Sequence, residues 1–157
     1  MFFFERAIGE KSFGAFYKSH PAAVMSTVRP LRLSRLWQAL GLLGVCLLIQ
    51  QSLTPSPPDI VWFPGGDKLL HFSAYASLMI WFGFIYLSGK VYIEIGAGLI
   101  LMGITLELFQ RITGYRSFEF LDLFCNFLGV IAGGFLSRTR VSTALIHFER
   151  VLERLRH

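Results

Sequence analysis

Charge is what this sequence has least of: Asp, Glu, Lys and Arg make up 16% of its 157 residues, whereas 54% are hydrophobic. A soluble domain usually carries about 25% charged residues, so this chain has too few charges to cover a water-exposed surface. Intrinsic disorder is excluded as well, because it requires low hydrophobicity together with high net charge. The composition therefore predicts a folded chain that resides in a membrane.

Cysteine and the common catalytic motifs are also scarce. The two cysteines, Cys46 and Cys125, both fall within apolar segments, so we interpret them as small apolar side chains rather than as disulfide partners. The sequence contains no CxxC, Walker A, GxGxxG or GxSxG pattern. These absences argue against disulfide-stapled domains, P-loop and Rossmann nucleotide sites and serine hydrolases of the nucleophile-elbow type. We predict no cofactor.

What the sequence does contain is four apolar runs of membrane-spanning length. A transmembrane helix needs about 20 mostly apolar residues, and the runs are separated by short connections. The pattern predicts an all-α fold, a four-helix transmembrane bundle. The four runs are 36–53, 69–88, 91–110 and 118–136.

Basic residues predict the orientation of these helices. Twelve of the 15 Lys and Arg residues lie in the N-terminal tail, the second loop and the C-terminal tail. Because lysine and arginine are enriched on the cytoplasmic side, both termini are expected in the cytoplasm, with the first and third loops outside. The net charge of +5 follows this order, so it does not indicate nucleic acid, and the predicted partner is the lipid bilayer.

The chain divides into a tail (1–35), the membrane domain (36–136) and a basic tail (137–157). Residues 1–24 show no organised pattern and Met25 resembles a natural start, so we interpret 1–24 as an over-extended start or a floppy tail. The C-terminal tail has apolar residues at spacings of three and four, which predicts a short amphipathic helix. We expect it on the membrane surface, with packing on the bundle as the alternative. Its apolar stripe consists of Val141, Leu145, Phe148, Leu152 and Leu155.

Polar side chains near three helix ends are the strongest functional signal. A charge at the centre of a membrane helix costs about 2.5–3.5 kcal/mol, so such residues are functional candidates by default. Their spacing of three or four places them on one face of each helix, and the topology places all three ends on the outer side. The alternative is that they snorkel to headgroups or pair with one another. The residues are Asp67, Lys68, His71, Tyr75, Glu107, Gln110, Arg116, Asp122 and Asn126.

Roles follow from side-chain chemistry. His71 is the candidate general base, oriented by Glu107 or Asp122, and these three are the candidate catalytic residues. Lys68 and Arg116 are expected to bind phosphate or carboxylate. Asp67, Tyr75, Gln110 and Asn126 complete the predicted binding set. With a single histidine among these residues and no HExxH spacing, we predict no metal, although the acids and His71 are ligand types that Zn²⁺ or Mn²⁺ accept.

At these residues the sequence resembles the VanZ-like family of small bacterial membrane proteins. The resembling segments read DKLLHFSAY, ELFQ and RSFEFLDLFCNFLGVIAGG, within about residues 36–136. The resemblance implies a four-helix protein of the bacterial inner membrane. The family takes its name from a protein linked to low-level teicoplanin resistance, and no settled reaction comes with it.

Two functions remain open from the sequence. The first is an outward-facing site that binds, or modifies, a cell-envelope substrate such as a lipid-linked cell-wall precursor. The second is a non-enzymatic adaptor or structural protein in which the polar cluster stabilises the bundle. Gly129 and Gly133 form a GxxxG spacing that lets helices approach closely, either within the chain or in an oligomer.

Overall fold

The computed structural model describes residues 28–54, 65–86, 88–114, 119–139 and 143–155. The regular structure of these residues is entirely helical, as predicted, apart from one isolated β-bridge. Helices α1, α2 and α3 are long and apolar enough to cross a membrane, and α4 is a shorter apolar helix of 17 residues. The five helices are α1 (Ser34–Leu53), α2 (Gly66–Ile85), α3 (Gly89–Thr113), α4 (Phe120–Leu136) and α5 (Ala144–Leu155).

The helix ends differ from the predicted runs by a few residues, for local reasons. Helix α2 ends at Ile85 because Tyr86 is extended and forms the β-bridge with Val28. The backbone N–H of Arg29 donates to the carbonyl of Ile85 at 2.8 Å, which satisfies one carbonyl at this helix end. Helix α3 continues to Thr113 and stops at Gly114, whose φ of 69° is the left-handed conformation that glycine tolerates.

Helix α2 occupies the centre of the fold. It contacts α1, α3, α4 and α5, and its most extensive contact is with α4. Tyr75 and Met79 of α2 form a core with Leu99 of α3 and Val130 of α4. Large apolar side chains also cover the outside, as in Leu101 and Phe135, which are 65% and 75% exposed. An apolar exterior around a packed interior suits lipid rather than water.

Two glycines of α4 make the close approach to α2 possible. A Cβ atom at Gly129 would lie 2.4 Å from the carbonyl oxygen of Phe72, and one at Gly133 would lie 2.5 Å from that of Ala76. The helices therefore touch backbone to backbone, which is the use of GxxxG spacing expected within a chain. An oligomer contact through the same glycines, the other predicted use, would have to displace α2.

Replacing Gly129 with alanine is expected to destabilise the protein by about 1–3 kcal/mol, the usual effect of overpacking a tight interface. The relevant measurement is the melting temperature of the purified protein in detergent. Gly98→Ala is the matched control, because a Cβ there meets nothing within 4 Å. Equal melting temperatures for the two variants would contradict the close α2–α4 packing.

Helix α5 packs against the start of α1 through a residue that the apolar stripe did not include. Leu145 is buried, as the stripe predicts, but so is Glu149. The Glu149 carboxylate accepts the backbone N–H groups of Arg32 and Leu33 at 2.8 and 2.9 Å, and the indole N–H of Trp37 at 2.7 Å. It therefore serves as the cap that α1 lacks in its own sequence.

The other described residues of the stripe are exposed. Phe148 makes an edge contact with Trp37, with ring centroids 5.9 Å apart, yet Phe148, Leu152 and Leu155 are exposed. Val141 lies outside the described residues, as do residues 1–27. Helix α5 therefore packs on the helical bundle, the alternative to a surface position, while the described residues leave the apolar face beside this contact exposed.

Candidate functional site

Lys68 lies at the centre of three carboxylates. Its ammonium nitrogen Nζ is 2.6 Å from Asp67 Oδ2, 2.5 Å from Glu119 Oε2 and 2.7 Å from Asp122 Oδ1. Asp67 and Lys68 open α2, Glu119 directly precedes α4, and Asp122 lies in its first turn. The ammonium group donates hydrogen bonds to Asp67 and Glu119, whereas Asp122 Oδ1 makes an ion-pair contact without hydrogen-bond geometry. This acidic quartet (Asp67, Lys68, Glu119 and Asp122) fastens the start of α2 to the start of α4.

The quartet has more negative than positive charge. With all four groups ionised, three carboxylates surround a single ammonium group. A phosphate or carboxylate ligand, the role predicted for Lys68, would have to displace one of these carboxylates. The geometry therefore favours a different role for Lys68, which is to hold the acids together. The Asp67 and Glu119 side chains are 42% and 45% exposed and form the mouth of the site, whereas Asp122 is 6% exposed and lies deeper.

His71 lies one turn further along α2, between Asn126 and Asp122. Its Nδ1 is 3.1 Å from the amide oxygen of Asn126, and since that oxygen only accepts, Nδ1 donates. The second nitrogen, Nε2, is 3.7 Å from Asp122 Oδ2, which is too long for a direct hydrogen bond. In the neutral ring Nε2 carries the lone pair, so Nε2 and Asp122 present two acceptors to the same space. An ammonium group placed beside these two atoms can donate to both, whereas a hydroxyl, which has one hydrogen, can donate to only one of them.

Glu107 of α3 is fully buried, and its carboxylate contacts the backbone of Glu119 rather than the side chain of His71. Its carboxylate Oε1 accepts the backbone N–H of Glu119 at 2.8 Å, just before the first turn of α4. A negative charge at a helix N-terminus is favourable because the unpaired N–H groups and the helix dipole are positive there. Of the two acids predicted to orient His71, Asp122 lies beside the imidazole and Glu107 positions α4.

Tyr75 and Asn126 form the deepest part of the site. Both are buried, and they meet at Gly103 of α3, where a Cβ atom would lie 3.0 Å from the Tyr75 hydroxyl and 3.1 Å from the Asn126 Nδ2. From Asp67 to Tyr75 the polar residues follow α2 for two turns, which is about 12 Å at 1.5 Å per residue. The site is therefore a polar column between α2 and α4, with α3 closing its inner end.

The remaining predicted residues lie elsewhere. The Gln110 amide donates to the carbonyl of Ser52 at 2.7 Å and so ties α3 to the last turn of α1. Arg116 lies outside the described residues. Conversely, the predicted binding set omits Glu119, although its spacing of three residues from Asp122 was a signal that both acids begin the same helix.

The three carboxylates also have the spacing of a possible cation site. One oxygen of each of Asp67, Glu119 and Asp122 lies within 4.8 Å of the others. The Lys68 ammonium stands at 2.5–2.7 Å from the same three side chains. The chain thus supplies its own cation at the position where an ion would bind.

No protein-family model, curated protein or solved structure matches this chain. The resemblance to the VanZ-like family accordingly rests on the sequence segments quoted above, and the description of the site rests on its geometry.

Proposed function

We propose that this chain is a VanZ-like, multi-pass protein of the bacterial inner membrane that binds a cell-envelope substrate at the polar column. Helices α1 to α4 are the four spans, with both termini in the cytoplasm. The 17 residues of α4 extend about 25 Å, the short end of the spanning range. The acidic quartet holds the polar N-terminal end of α4 beside the N-terminal end of α2. This contact supports the proposal that the two ends lie at the same level of the membrane.

The outer side of the membrane is the proposed location of the column. The basic residues of the tails and of the second loop belong to the opposite ends of the helices, as the positive-inside rule requires. A lipid-linked cell-wall precursor displays its headgroup at this depth on the outer leaflet. Site and headgroup would then share one level of the membrane.

The chemistry of the column favours a ligand that donates hydrogen bonds. The observation that carries this proposal is the gap of 3.7 Å between His71 Nε2 and Asp122 Oδ2 beside an acidic quartet whose lysine is already occupied. The ammonium group of a peptide can donate to both acceptors and a sugar hydroxyl can donate to one of them, whereas a phosphate would face carboxylates. Binding needs nothing more than these contacts, so we propose binding rather than catalysis. Because the chain resembles the VanZ-like family, we also propose that the protein changes the susceptibility of the cell to teicoplanin.

Substitution of His71 or Asp122 is expected to weaken ligand binding at least tenfold, because His71→Ala removes one acceptor from the gap and Asp122→Asn removes the negative charge of the other; tenfold corresponds to about 1.4 kcal/mol. His71→Ala is expected to have little effect on folding, whereas Asp122→Asn also takes a carboxylate from Lys68 and lowers the melting temperature. The measurement is titration of a lipid-linked cell-wall precursor into nanodiscs that hold His71→Ala, Asp122→Asn or the wild-type chain. Glu94→Gln is the control, since Glu94 is exposed and pairs loosely with Lys90 at 3.9 Å. Unchanged affinity in both site variants would contradict the proposal.

A structural adaptor is the second candidate, and one observation favours it. Lys68 and Glu107 are both used within the chain, the first by three carboxylates and the second by the start of α4. In this case His71→Ala also lowers the abundance and melting temperature of the protein, and none of the variants has a ligand affinity to lose.

A further inference from the structure

The contacts between α5 and α1 determine which face of α5 is exposed. The described residues leave a row of apolar side chains of α5 uncovered, namely Phe148, Val151, Leu152 and Leu155. The contacts of Glu149 with Arg32, Leu33 and Trp37 hold one face of α5 against α1. Neighbouring positions on the helix surface, three and four residues apart, are apolar and open. Phe148, Val151 and Leu152 are 49%, 52% and 41% exposed, and Leu155 is 80% exposed.

Arginines border the same helix on its other side. Arg32, Arg150 and Arg154, together with Glu153, surround an open cavity of about 580 Å³. Glu153 pairs with Arg32 at 3.0 Å, and the cavity still has three positive groups to one negative group. Arginine is the side chain best suited to phosphate oxygens, because its planar fork binds two of them at once.

The position of α5 relates these two surfaces to a membrane boundary. Trp37 at the start of α1 contacts Trp81 near the end of α2 and Phe148 of α5, with ring centroids 6.0 and 5.9 Å apart. Tryptophan is enriched at the membrane–water interface, where its ring is half apolar and half polar. Helix α5 therefore lies at the level where α1 begins and α2 ends. An amphipathic helix there can place its apolar row among acyl chains and its arginines among headgroups.

We propose that α5 and the start of α1 form a binding surface for anionic phospholipids of the cytoplasmic leaflet. The phosphate of the lipid occupies the cavity at Arg32, Arg150 and Arg154, and the apolar row contacts the acyl chains below it. Both features are needed: arginines alone would fit any polyanion, and an apolar row alone would fit any lipid. This surface is at the opposite end of α2 from the acidic quartet, so it does not depend on ligand binding at the polar column, but it rests on the proposed orientation with both termini in the cytoplasm.

The test uses the full chain in nanodiscs of phosphatidylcholine mixed with phosphatidylglycerol. Brominated versions of either lipid quench tryptophan fluorescence, and the dependence on lipid composition yields the association constant of phosphatidylglycerol relative to phosphatidylcholine. The wild-type chain is expected to prefer phosphatidylglycerol. Arg150→Gln/Arg154→Gln should lower that preference by about fivefold per arginine, the factor that corresponds to about 1 kcal/mol for a basic residue at an anionic surface.

Three comparisons keep the result interpretable. Lys90→Gln removes an exposed charge on the same side that has no place in the cavity, so it measures the general attraction of a basic residue to the anionic surface and should lower the preference less than either arginine does. Leu155→Gln changes a side chain that is 80% exposed, so it should fold normally yet increase hydrogen exchange of α5 in the same nanodiscs. Inorganic phosphate added to the solution should not compete with the lipid.

Several results would overturn the proposal. One is an absence of preference for phosphatidylglycerol in the wild-type chain, and another is an equal preference in the double arginine variant. Full competition by inorganic phosphate would identify a small-anion site instead. Cross-linking of the apolar row of α5 to residues 1–27 would show that this chain covers the row itself.

Discussion

Replacing Lys68 with methionine is expected to lower the free energy of unfolding by roughly 3 kcal/mol. Removing one partner of a buried ion pair costs about 3–5 kcal/mol, and the lower end applies because solvent screens the half-exposed Asp67 and Glu119. Three carboxylates would then face one another without a cation between the starts of α2 and α4. The measurement is the melting temperature of the purified protein.

A divalent cation distinguishes this explanation from a general packing defect. Because carboxylate oxygens of Asp67, Glu119 and Asp122 lie within 4.8 Å of one another, added Ca²⁺ or Mg²⁺ should stabilise Lys68→Met and leave the wild-type chain unchanged. Lys90→Met is the matched control, since Lys90 has a single loose partner, Glu94, at 3.9 Å. A Lys68→Met protein with the same melting temperature as the wild type would contradict the central position of Lys68. So would a Lys68→Met protein whose melting temperature does not rise when a divalent cation is added.

Replacing Glu149 with alanine is expected to release α5 from α1, at a cost of about 3 kcal/mol. A hydrogen bond to a charged group contributes about 1.5–3 kcal/mol, and this carboxylate accepts two backbone N–H groups and the Trp37 indole N–H. Hydrogen exchange of residues 144–155 measures the release directly. Glu153→Ala is the control, because its pair with Arg32 is exposed on both sides and such pairs contribute about 0–1 kcal/mol. Equal exchange in the two variants would contradict the cap.

The contacts of the Glu149 carboxylate also predict how the docking of α5 on α1 depends on pH. Burial alone would raise the pKa of Glu149, but the N–H donors of Trp37, Leu33 and Arg32 favour the carboxylate and together lower its pKa below the ordinary value. A group whose pKa is lowered by folding stabilises the folded state above its ordinary pKa, about 4.3 for glutamate. Docking of α5 is therefore complete at neutral pH and is lost as the pH falls through the lowered pKa of Glu149.

Apolar run length predicted α1 to α4, because a span of about 20 apolar residues has few alternatives, and apolar spacing predicted α5. The ends required local contacts that no run length reveals: the bridge of Tyr86 to Val28 ends α2, and Gly114 ends α3. The sequence also predicted that Asp67, Glu107 and Asp122 lie close together, and in the structure all three are near the starts of α2 and α4.

The partners of these polar residues were not predictable from spacing. Glu107 binds the backbone of Glu119 instead of His71, and this depends on the rotation of α3 against α4. Lys68 meets three acids because Gly129 and Gly133 bring α4 against α2. Glu149 lies off the apolar stripe of its helix, so periodicity predicts an exposed side chain. Its burial follows from unpaired N–H groups at the start of α1, a segment more than a hundred residues earlier in the chain.

The outward orientation of the polar column is the central claim, and reporter fusions test it most directly. An alkaline phosphatase reporter is active only after export, so fusions at Pro57 and Gly114, in the first and third loops, are expected to be active. A fusion at Lys90, in the first turn of α3 beside the second loop, is expected to be inactive and serves as the internal control. Activity at Pro57 and Gly114 but not at Lys90 places the acidic quartet on the outer side. The reverse pattern would place it in the cytoplasm and contradict a site for extracytoplasmic precursors.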